Sequence, residues 1–231
     1  PRTVSALAVP LIDHRLTIRI SGQTAADKRA ELATRAAGTI SSLPFKQGDV
    51  VKAGDIILDM DSKEKKIAVD AAAQLVKQKK AQADATEALA KRGNVAKLQL
   101  DAARADLQGA QSQSEAAKAE LERTQVIAPF DGIIDKINVE NGASAAQGTV
   151  VATVLSLNPI VAVGEISERN LSTIKVGSPA SVRLVNGSTA DGAVRYISRE
   201  ASATTRTFRV EVSIPNPDDR IPAGMTAEVT L

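Results

Sequence analysis

The chain has 231 residues and a net charge of +2, with 29 Lys and Arg against 27 Asp and Glu, so it has no basic excess of the kind that binds nucleic acid. Hydrophobic residues make up 43% but aromatic residues only 2%, which favours several small units over one thick core. The absence of cysteine excludes disulfides, thiolate metal sites and cysteine nucleophiles, and no apolar run is long enough to span a bilayer.

The first segment contains one predicted strand, Leu16–Ile20, in which apolar and polar residues alternate. Gly22 follows it, and a polar stretch then runs from Gln23 to Arg35. The lone His14 lies just before the strand, and we interpret it as a surface residue rather than a ligand or proton switch.

Two glycine-punctuated segments, residues 34–60 and 125–157, are copies of one motif. Three glycines recur at an offset of 94: Gly38 and Gly132, Gly48 and Gly142, Gly54 and Gly148. Six apolar positions match at the same offset: Ile40 and Ile134, Leu43 and Ile137, Phe45 and Val139, Ile56 and Val150, Ile57 and Val151, Met60 and Val154. Because glycine tolerates the positive φ of tight turns, the pattern predicts a duplicated β-unit cut by an insert.

The insert, residues 61–124, is predicted to form two helices. It has no proline, and Ala, Gln, Lys and Glu, which are good helix formers, dominate it. The run from Asp61 to Glu64 has the spacing of a capping box, with Asp61 as the N-cap. Near the middle, Gly93 is expected to end the first helix and Asn94 to cap the second.

The expected helices cover about residues 62–91 and 95–124, and their short connection makes them antiparallel neighbours. The second helix has a seam with strict 4-3-4-3 spacing, which is typical of a coiled-coil interface. Its members are Ala96, Leu100, Ala103, Leu107, Ala110, Ser114, Ala117 and Leu121. The predicted seam of the first helix, which has a polar centre, is Ala68, Ala71, Leu75, Gln78, Gln82, Ala85 and Leu89.

Another face of the second helix consists almost entirely of small residues. It comprises Val95, Leu98, Ala102, Ala105, Gly109, Ser112, Ala116 and Ala119. A two-helix hairpin cannot bury this face together with its seam. Two interpretations stay open: alanine is present only as a good helix former, or the face packs against the hairpin of another chain.

The C-terminal segment, residues 158–231, is predicted to be all-β. Its alternating runs are Ile160–Val163, Ala180–Val185, Gly192–Ile197, Thr207–Ile214 and Met225–Leu231. Turn signals such as Asn186-Gly187 separate them. Together with Leu16–Ile20 as a sixth strand, they indicate a small barrel.

With these elements in order, the chain resembles the periplasmic adaptor (membrane fusion) proteins of tripartite efflux pumps, most of all those of resistance-nodulation-division (RND) transporters. The resemblance covers about residues 16–231. The matching motifs are Gly38, Gly48 and Gly54, Ile127-Ala-Pro-Phe-Asp-Gly132, Gly142, Glu165-Ile-Ser-Glu168, Thr204-Thr-Arg-Thr-Phe208 and Pro222-Ala-Gly-Met225.

The resemblance implies a mixed β and α, elongated, multi-domain fold. A lipoyl/biotinyl-like β-sandwich would be split by an antiparallel α-helical coiled-coil hairpin and accompanied by a small β-barrel. The implied domains are 1–15 as a fragment of a membrane-proximal domain, 16–33 with 158–231 as the barrel, 34–60 with 125–157 as the sandwich, and 61–124 as the hairpin.

The implied function is non-enzymatic, with no catalytic residue, cofactor or metal. The protein would lie in the periplasm of a Gram-negative bacterium and be held to the inner membrane by an anchor upstream of Pro1. It would assemble with itself, as a hexamer or a trimer of dimers, and link an inner-membrane transporter to an outer-membrane channel.

The implied channel contact is the hairpin tip: Leu89, Lys91, Arg92, Asn94, Val95, Ala96 and Lys97. Arg206 and Phe208 would serve as structural or interface residues of the barrel. The tip departs from the family in one respect. Many such adaptors carry Arg, Leu and Ser at positions that here hold Ala85, Leu89 and Ala96, so only the Leu is kept.

Two other interpretations stay open. The first is an adaptor of an ABC-type exporter or type I secretion system, with the same architecture and a different motor. The second is a lipoyl or biotinyl carrier domain, in which Lys63 at the junction of the two halves would be modified. We expect Lys63 instead to begin a helix, and Asp59/Asp61 and Asp218/Asp219 to serve as caps and turns rather than metal ligands.

Overall fold

A computed structural model describes residues 17–93 and 96–231. The described residues divide into two units, one containing Leu157–Leu231 with residues 17–27, the other Lys28–Ser156. The strands are β1 Arg19–Ala33, β2 Gly38–Ser42, β3 Val50–Val51, β4 Ile56–Met60, β5 Gln125–Ile127, β6 Gly132–Ile137, β7 Ser144–Ala145, β8 Val150–Ser167, β9 Pro179–Leu184, β10 Thr189–Ile197, β11 Thr207–Ile214 and β12 Thr226–Thr230. The helices are α1 Lys63–Lys91, α2 Lys97–Glu122 and α3 Glu168–Leu171.

The unit that contains the C-terminus is a six-stranded antiparallel barrel. Its strand order is β1-β12-β9-β10-β11-β8, and β1 also pairs with β8, which closes it. Since side chains alternate across a strand, every second apolar residue points inward. The fully buried members of this core include Ile160, Val182, Val194, Val210, Val212, Ile214 and Val229. The predicted barrel and its five alternating strands are confirmed.

The barrel closes where β1 and β8 approach each other at two glycines. A Cβ on Gly22 would lie 2.0 Å from the carbonyl oxygen of Val163, and a Cβ on Gly164 would lie 2.9 Å from Ile20 Cδ1. At Gly22 only glycine leaves room for the Val163 carbonyl. At Gly164 the missing side chain leaves space for the side chain of Ile20.

The prediction for the N-terminal segment is correct only in part. The run from Arg19 to Ile20 is in β1 and pairs with β12 as expected, with Arg19 opposite Thr230, while Leu16 and His14 lie outside the described residues. The strand is longer than predicted, because β1 continues through the polar stretch after Gly22 to Ala33. The strand character of this stretch comes from backbone pairing with β8, since the β12 ladder ends at Gln23, and polar residues support such pairing as well as apolar ones do.

The second unit contains the two copies of the repeated motif, and they interlock about a pseudo-two-fold relation. Gly48 N–H donates to Ile134 O at 2.8 Å, and Gly142 N–H donates to Ile40 O at 2.9 Å. Each residue of the second bond is offset by 94 from its counterpart in the first. Gly48 and Gly142 have φ of 92° and 85°, as their tight turns require.

The strand pairing repeats the same relation. Gly38 lies opposite Ala145 in the β2–β7 pair, and Val51 lies opposite Gly132 in the β3–β6 pair. The two copies therefore exchange strands and share one core. Its most buried members are Ile40, Val51, Ile57, Leu58, Met60, Ala128, Ile134, Val151, Ala152 and Val154. The prediction of one duplicated β-unit is confirmed by these reciprocal contacts.

The insert forms the predicted helical hairpin. α1 and α2 are antiparallel, as cross-helix ion pairs show: Lys65 Nζ lies 3.5 Å from Glu120 Oε2, and Lys79 Nζ lies 2.7 Å from Asp106 Oδ2. In α2 the predicted seam faces α1, with Ala103, Ala110 and Ser114 buried.

The seam predicted for α1 is wrong, because every predicted position lies one residue before a residue of the observed seam. Of its seven residues only Leu75 is even partly buried. The residues that face α2 are Val69, Ala72, Val76, Lys79, Ala83, Thr86 and Ala90, again at alternating steps of three and four. Lys79 belongs to this seam because its aliphatic stem lies against the hairpin while the amine reaches Asp106. The leucines that suggested the other register lie beside it.

The helix starts also differ from the expected caps. Asp61 is not the N-cap of α1, because its backbone N–H donates to Thr39 O at 2.8 Å and keeps it in the sheet. Ser62 is the N-cap instead, and Asp61 Oδ1 accepts a 3.3 Å bond from Lys63 N–H. Asn94 lies outside the described residues, and Ala96 is the N-cap of α2. Across residues 17–93 and 96–231, no helix combines the length and apolarity needed to cross a membrane.

Candidate functional site

The first helix of the hairpin ends at a glycine next to the tip. Arg92 N–H donates to Leu89 O at 3.1 Å, and Gly93 N–H donates to Ala90 O at 3.0 Å. Gly93 has φ of 77°, as expected for the left-handed residue that ends a helix. On the other side, Ala96 is extended and its carbonyl accepts from Gln99 N–H at 2.9 Å to begin α2. Backbone hydrogen bonds therefore fix the end of α1 and the start of α2.

One carboxylate joins the two helices just below the tip. Glu87 lies 3.1 Å from Lys91 Nζ on its own helix and 3.3 Å from the Arg104 guanidinium on α2. Hydrogen bonds from Lys91 and Arg104 to the charged carboxylate lower the pKa of Glu87 below its ordinary 4.5. This bridge holds the ends of α1 and α2 in one register.

Above this bridge the tip is basic and partly apolar. Residues 88–100 contain Lys91, Arg92 and Lys97 but no acidic residue. Leu89 is 44% exposed and Leu98 is 79% exposed. Exposed leucines next to Arg92 and Lys97, which are unpaired among the described residues, suit a surface that is covered in an assembly better than one that stays in water.

The structure brings most of the predicted tip residues together. Leu89, Lys91 and Arg92 end α1, and Ala96 and Lys97 start α2. Asn94 and Val95 lie outside the described residues. Leu98 was not among the predicted contacts, because the sequence placed it on the small-residue face. The sequence gives only a weak signal for Leu98, a leucine on a face of mostly small residues. Its exposure in the structure makes it a candidate contact.

The two barrel residues singled out by the sequence have different surroundings. Phe208 on β11 is half-buried and packs against the barrel core. Arg206 is exposed and has φ of 54°, a left-handed conformation that costs free energy for a residue with a Cβ. Its backbone N–H donates to Ser202 O at 2.9 Å, which closes the loop before β11. A structural role for the Arg206 backbone stays a prediction.

The junction between the two halves is the start of a helix, and its Lys63 is exposed. Lys63 is the first residue of α1, as expected, and a long insert occupies the place where a carrier domain would present its modified lysine. In the part of the chain that the structure describes, no three His, Cys, Asp or Glu side chains are grouped so that they could hold a metal ion.

An interlocked sandwich with a helical hairpin inserted at one junction, together with an antiparallel barrel, defines the class of membrane fusion adaptors. The sequence of the unit that carries the hairpin matches the family described as "RND MFP, barrel-sandwich hybrid domain" over residues 28–157. Residues 162–231 match "CusB-like, beta-barrel domain". The chain therefore belongs to the RND membrane fusion protein family.

Named relatives agree with this assignment. The chain is 28% identical over 214 residues to the nickel and cobalt resistance protein CnrB of Cupriavidus metallidurans, covering 87% of this chain and 54% of CnrB. It is 28% identical over 224 residues to the multidrug resistance protein MdtA of Escherichia coli, with the same coverage of 87% and 54%. The chain thus spans about half the length of these curated relatives.

A solved structure supports the fold. A MacA-MexA chimeric protein that contains the Pseudomonas aeruginosa MexA α-hairpin domain superimposes with a TM-score of 0.79 at 20% identity. The match covers 93% of this chain and 80% of the chimera. At this identity the likeness shows the fold alone. The chimera, like this chain, contains a helical hairpin.

Proposed function

We propose that this chain is the adaptor part of a tripartite RND efflux pump, which joins an inner-membrane transporter to an outer-membrane channel in the periplasm of a Gram-negative bacterium. The observation that carries the proposal is the hairpin inserted between Met60 and Gln125 of the interlocked sandwich, within the segment that matches the RND membrane fusion family. The role is mechanical and non-catalytic, as in this family of adaptors.

Each part of the chain has a distinct task in this proposal. The hairpin tip contacts the channel, and the CusB-like barrel contacts the transporter. Each helix of the hairpin reaches about 40 Å from the sandwich, given its 29 or 26 residues and a rise of about 1.5 Å per residue. In this proposal the transporter selects the exported substrate, so the adaptor does not need a binding pocket for it.

Self-assembly into a ring of six copies, or three dimers, is part of the proposal. The small-residue face of α2 supports it, because all its described members from Leu98 to Ala119 are exposed on this chain. Small side chains allow helices to pack at short axial distances, so the face suits the hairpin of a neighbouring copy. Ala105→Glu on this face is expected to abolish self-association seen by native mass spectrometry, whereas Gln111→Glu on another exposed face is not.

The test of the pump role uses the protein as its host produces it, purified from the host's membranes in mild detergent. We expect an RND transporter and an outer-membrane channel to be recovered with it. A variant in which residues 62–124 are replaced by a short Gly-Ser linker is expected to keep the transporter and lose the channel. Recovery of an ATP-driven exporter without an RND transporter would support the ABC-type alternative instead.

Intact mass measurement separates the remaining alternative. The adaptor role predicts an unmodified chain, whereas a carrier domain would show a lipoyl or biotinyl adduct on Lys63. Such an adduct would contradict the proposed function outright.

A further inference from the structure

The hairpin tip carries the net charge of the whole insert. Between residues 85 and 104 there are four basic residues and two acidic ones, whereas the remainder of residues 61–124 has eight of each. One of the two acidic residues, Glu87, is already bridged by Lys91 and Arg104. The shaft of the hairpin is thus neutral and its end is positive.

Two cations at the tip are free for a partner. Arg92 and Lys97 make no ion pair with any residue that the structure describes. They lie on either side of the turn, at the end of α1 and the start of α2. A cation at the N-terminus of a helix is unfavourable for that helix, so Lys97 is poorly placed for stability. This placement is explained if its charge acts on another molecule.

We infer that the tip recognises its partner by charge: the partner surface is a protein rim rich in Asp and Glu carboxylates, with an apolar recess that accepts Leu98. The inference rests on the proposed function and names the chemistry of the contact. Ala85 and Ala96 near the tip have no polar or charged side-chain group that could contribute to the contact. The polar attraction that this tip can offer is therefore that of Arg92 and Lys97 for carboxylates of the partner.

A protein partner fits the tip better than an anionic membrane. Polybasic segments that hold proteins on membranes use about four to eight Lys and Arg residues, and this tip offers three, one of them paired to Glu87. Its two exposed leucines lie on two different helices and do not form the continuous apolar face of a membrane-bound helix. A single exposed Leu98 suits a recess in a folded partner.

The test first identifies the partner. A photoreactive residue at the exposed position Gln99 of the full-length protein, in cells with the native pump, should cross-link to an outer-membrane channel. If the protein with the photoreactive residue at position 99 is active in the pump but cross-links to no channel, the proposed function itself fails.

The captured channel is then purified, and its affinity for this chain is measured at about 50 mM and about 300 mM NaCl. We expect the wild-type Kd to rise about tenfold over this range, because salt screens exposed charges. Arg92→Glu/Lys97→Glu should weaken binding at low salt by about tenfold or more, and the neutral Arg92→Gln/Lys97→Gln should be intermediate.

The matched control is Lys77→Glu/Lys80→Glu, which makes the same change in net charge on the exposed shaft of α1. It should bind like the wild type, and circular dichroism should show equal helix content for all variants. Tight binding of Arg92→Glu/Lys97→Glu that is independent of salt would overturn the inference and leave the adaptor role intact. Charge-dependent binding to phosphatidylglycerol vesicles but not to the channel would also overturn it.

Discussion

Lys79 on α1 and Asp106 on α2 form the closest cross-helix ion pair of the hairpin, with Nζ 2.7 Å from Oδ2. The pair lies near the middle of both helices, and Lys79 occupies a position that a coiled coil would fill with an apolar residue. The hairpin therefore combines a thin alanine seam with a charge pair that selects one register.

The first prediction concerns this pair. Lys79→Ala should destabilise the hairpin by about 1 kcal/mol, since it removes both the ion pair and the stem that covers the seam. Asp106→Ala should cost less, about 0.5 kcal/mol, because it removes the charge partner alone. Thermal unfolding followed by circular dichroism, in a double-mutant cycle, checks the difference. Equal costs for both variants would show that the stem contributes nothing.

The second prediction tests the position of the α1 seam. Ala83→Leu should destabilise the hairpin by about 1–3 kcal/mol, because the buried Ala83 has no room for a larger side chain. The same change at the exposed Ala85, only two residues away, should be nearly neutral. Chemical denaturation of the two variants provides the comparison. If Ala85→Leu were the more destabilising of the two changes, the seam predicted from the sequence would be correct instead.

The third prediction concerns barrel closure. Gly22→Ala should destabilise the barrel by about 2–3 kcal/mol, because its Cβ would collide with the Val163 carbonyl and force β1 and β8 apart. Gly109→Ala in α2 is the contrasting control, since nothing lies within 4 Å of the added Cβ. It should stabilise the helix by about 0.5–1 kcal/mol. A neutral Gly22→Ala in urea unfolding would contradict the close approach.

The fourth prediction concerns a buried amide in the barrel unit. Asn216 is 4% exposed; its Nδ2 donates to Leu157 O and Ile221 O, both at 3.0 Å, and its Oδ1 accepts from Ile221 N–H at 3.1 Å. Asn216→Ala should cost about 2–4 kcal/mol, because these backbone groups lose their partners. Asn216→Asp should cost no less, since a carboxylate would face the two carbonyl oxygens. Denaturation midpoints of both variants provide the measurement.

The fifth prediction is a pH dependence. Because Lys91 and Arg104 lower the pKa of Glu87 in the folded hairpin, the bridge stabilises it above the ordinary pKa of 4.5. This contribution is lost as the pH falls below that value through the folded-state pKa. The Tm difference between wild type and Glu87→Gln should therefore be positive near neutral pH and disappear in acid. A difference that is the same at both pH values would contradict the role of the charged carboxylate.

Much of the fold could be predicted because the relevant signals are local or repeated. Gly48 and Gly142 mark turns that need positive φ, and the offset of 94 between them shows the duplication directly. The helix-forming composition of the insert and the break at Gly93 predicted the hairpin, since both act within a few residues. The positions of Lys91, Arg92 and Lys97 at the tip could also be predicted, because they flank this break in the sequence.

Other features depend on partners that are distant in the chain. The seam of α1 follows from where α2 lies, and the alanines of α1 occupy so many faces that no periodicity selects one. The polar half of β1 is a strand because β8 supplies hydrogen-bond partners, which composition does not reveal. Asp61 is held in the sheet by Thr39, so a capping pattern in the sequence did not become a cap.

The sequence by itself determined the duplicated unit, the hairpin and the alternating strands, because each is encoded by spacing along the chain. Only the tertiary structure decided which face of α1 is buried, how far β1 extends, and that Leu98 stands exposed beside the tip cations. Each of these features depends on contacts between segments that are distant in the chain. The free energy of burial and of hydrogen bonding has a definite value only when both contacting segments are in place.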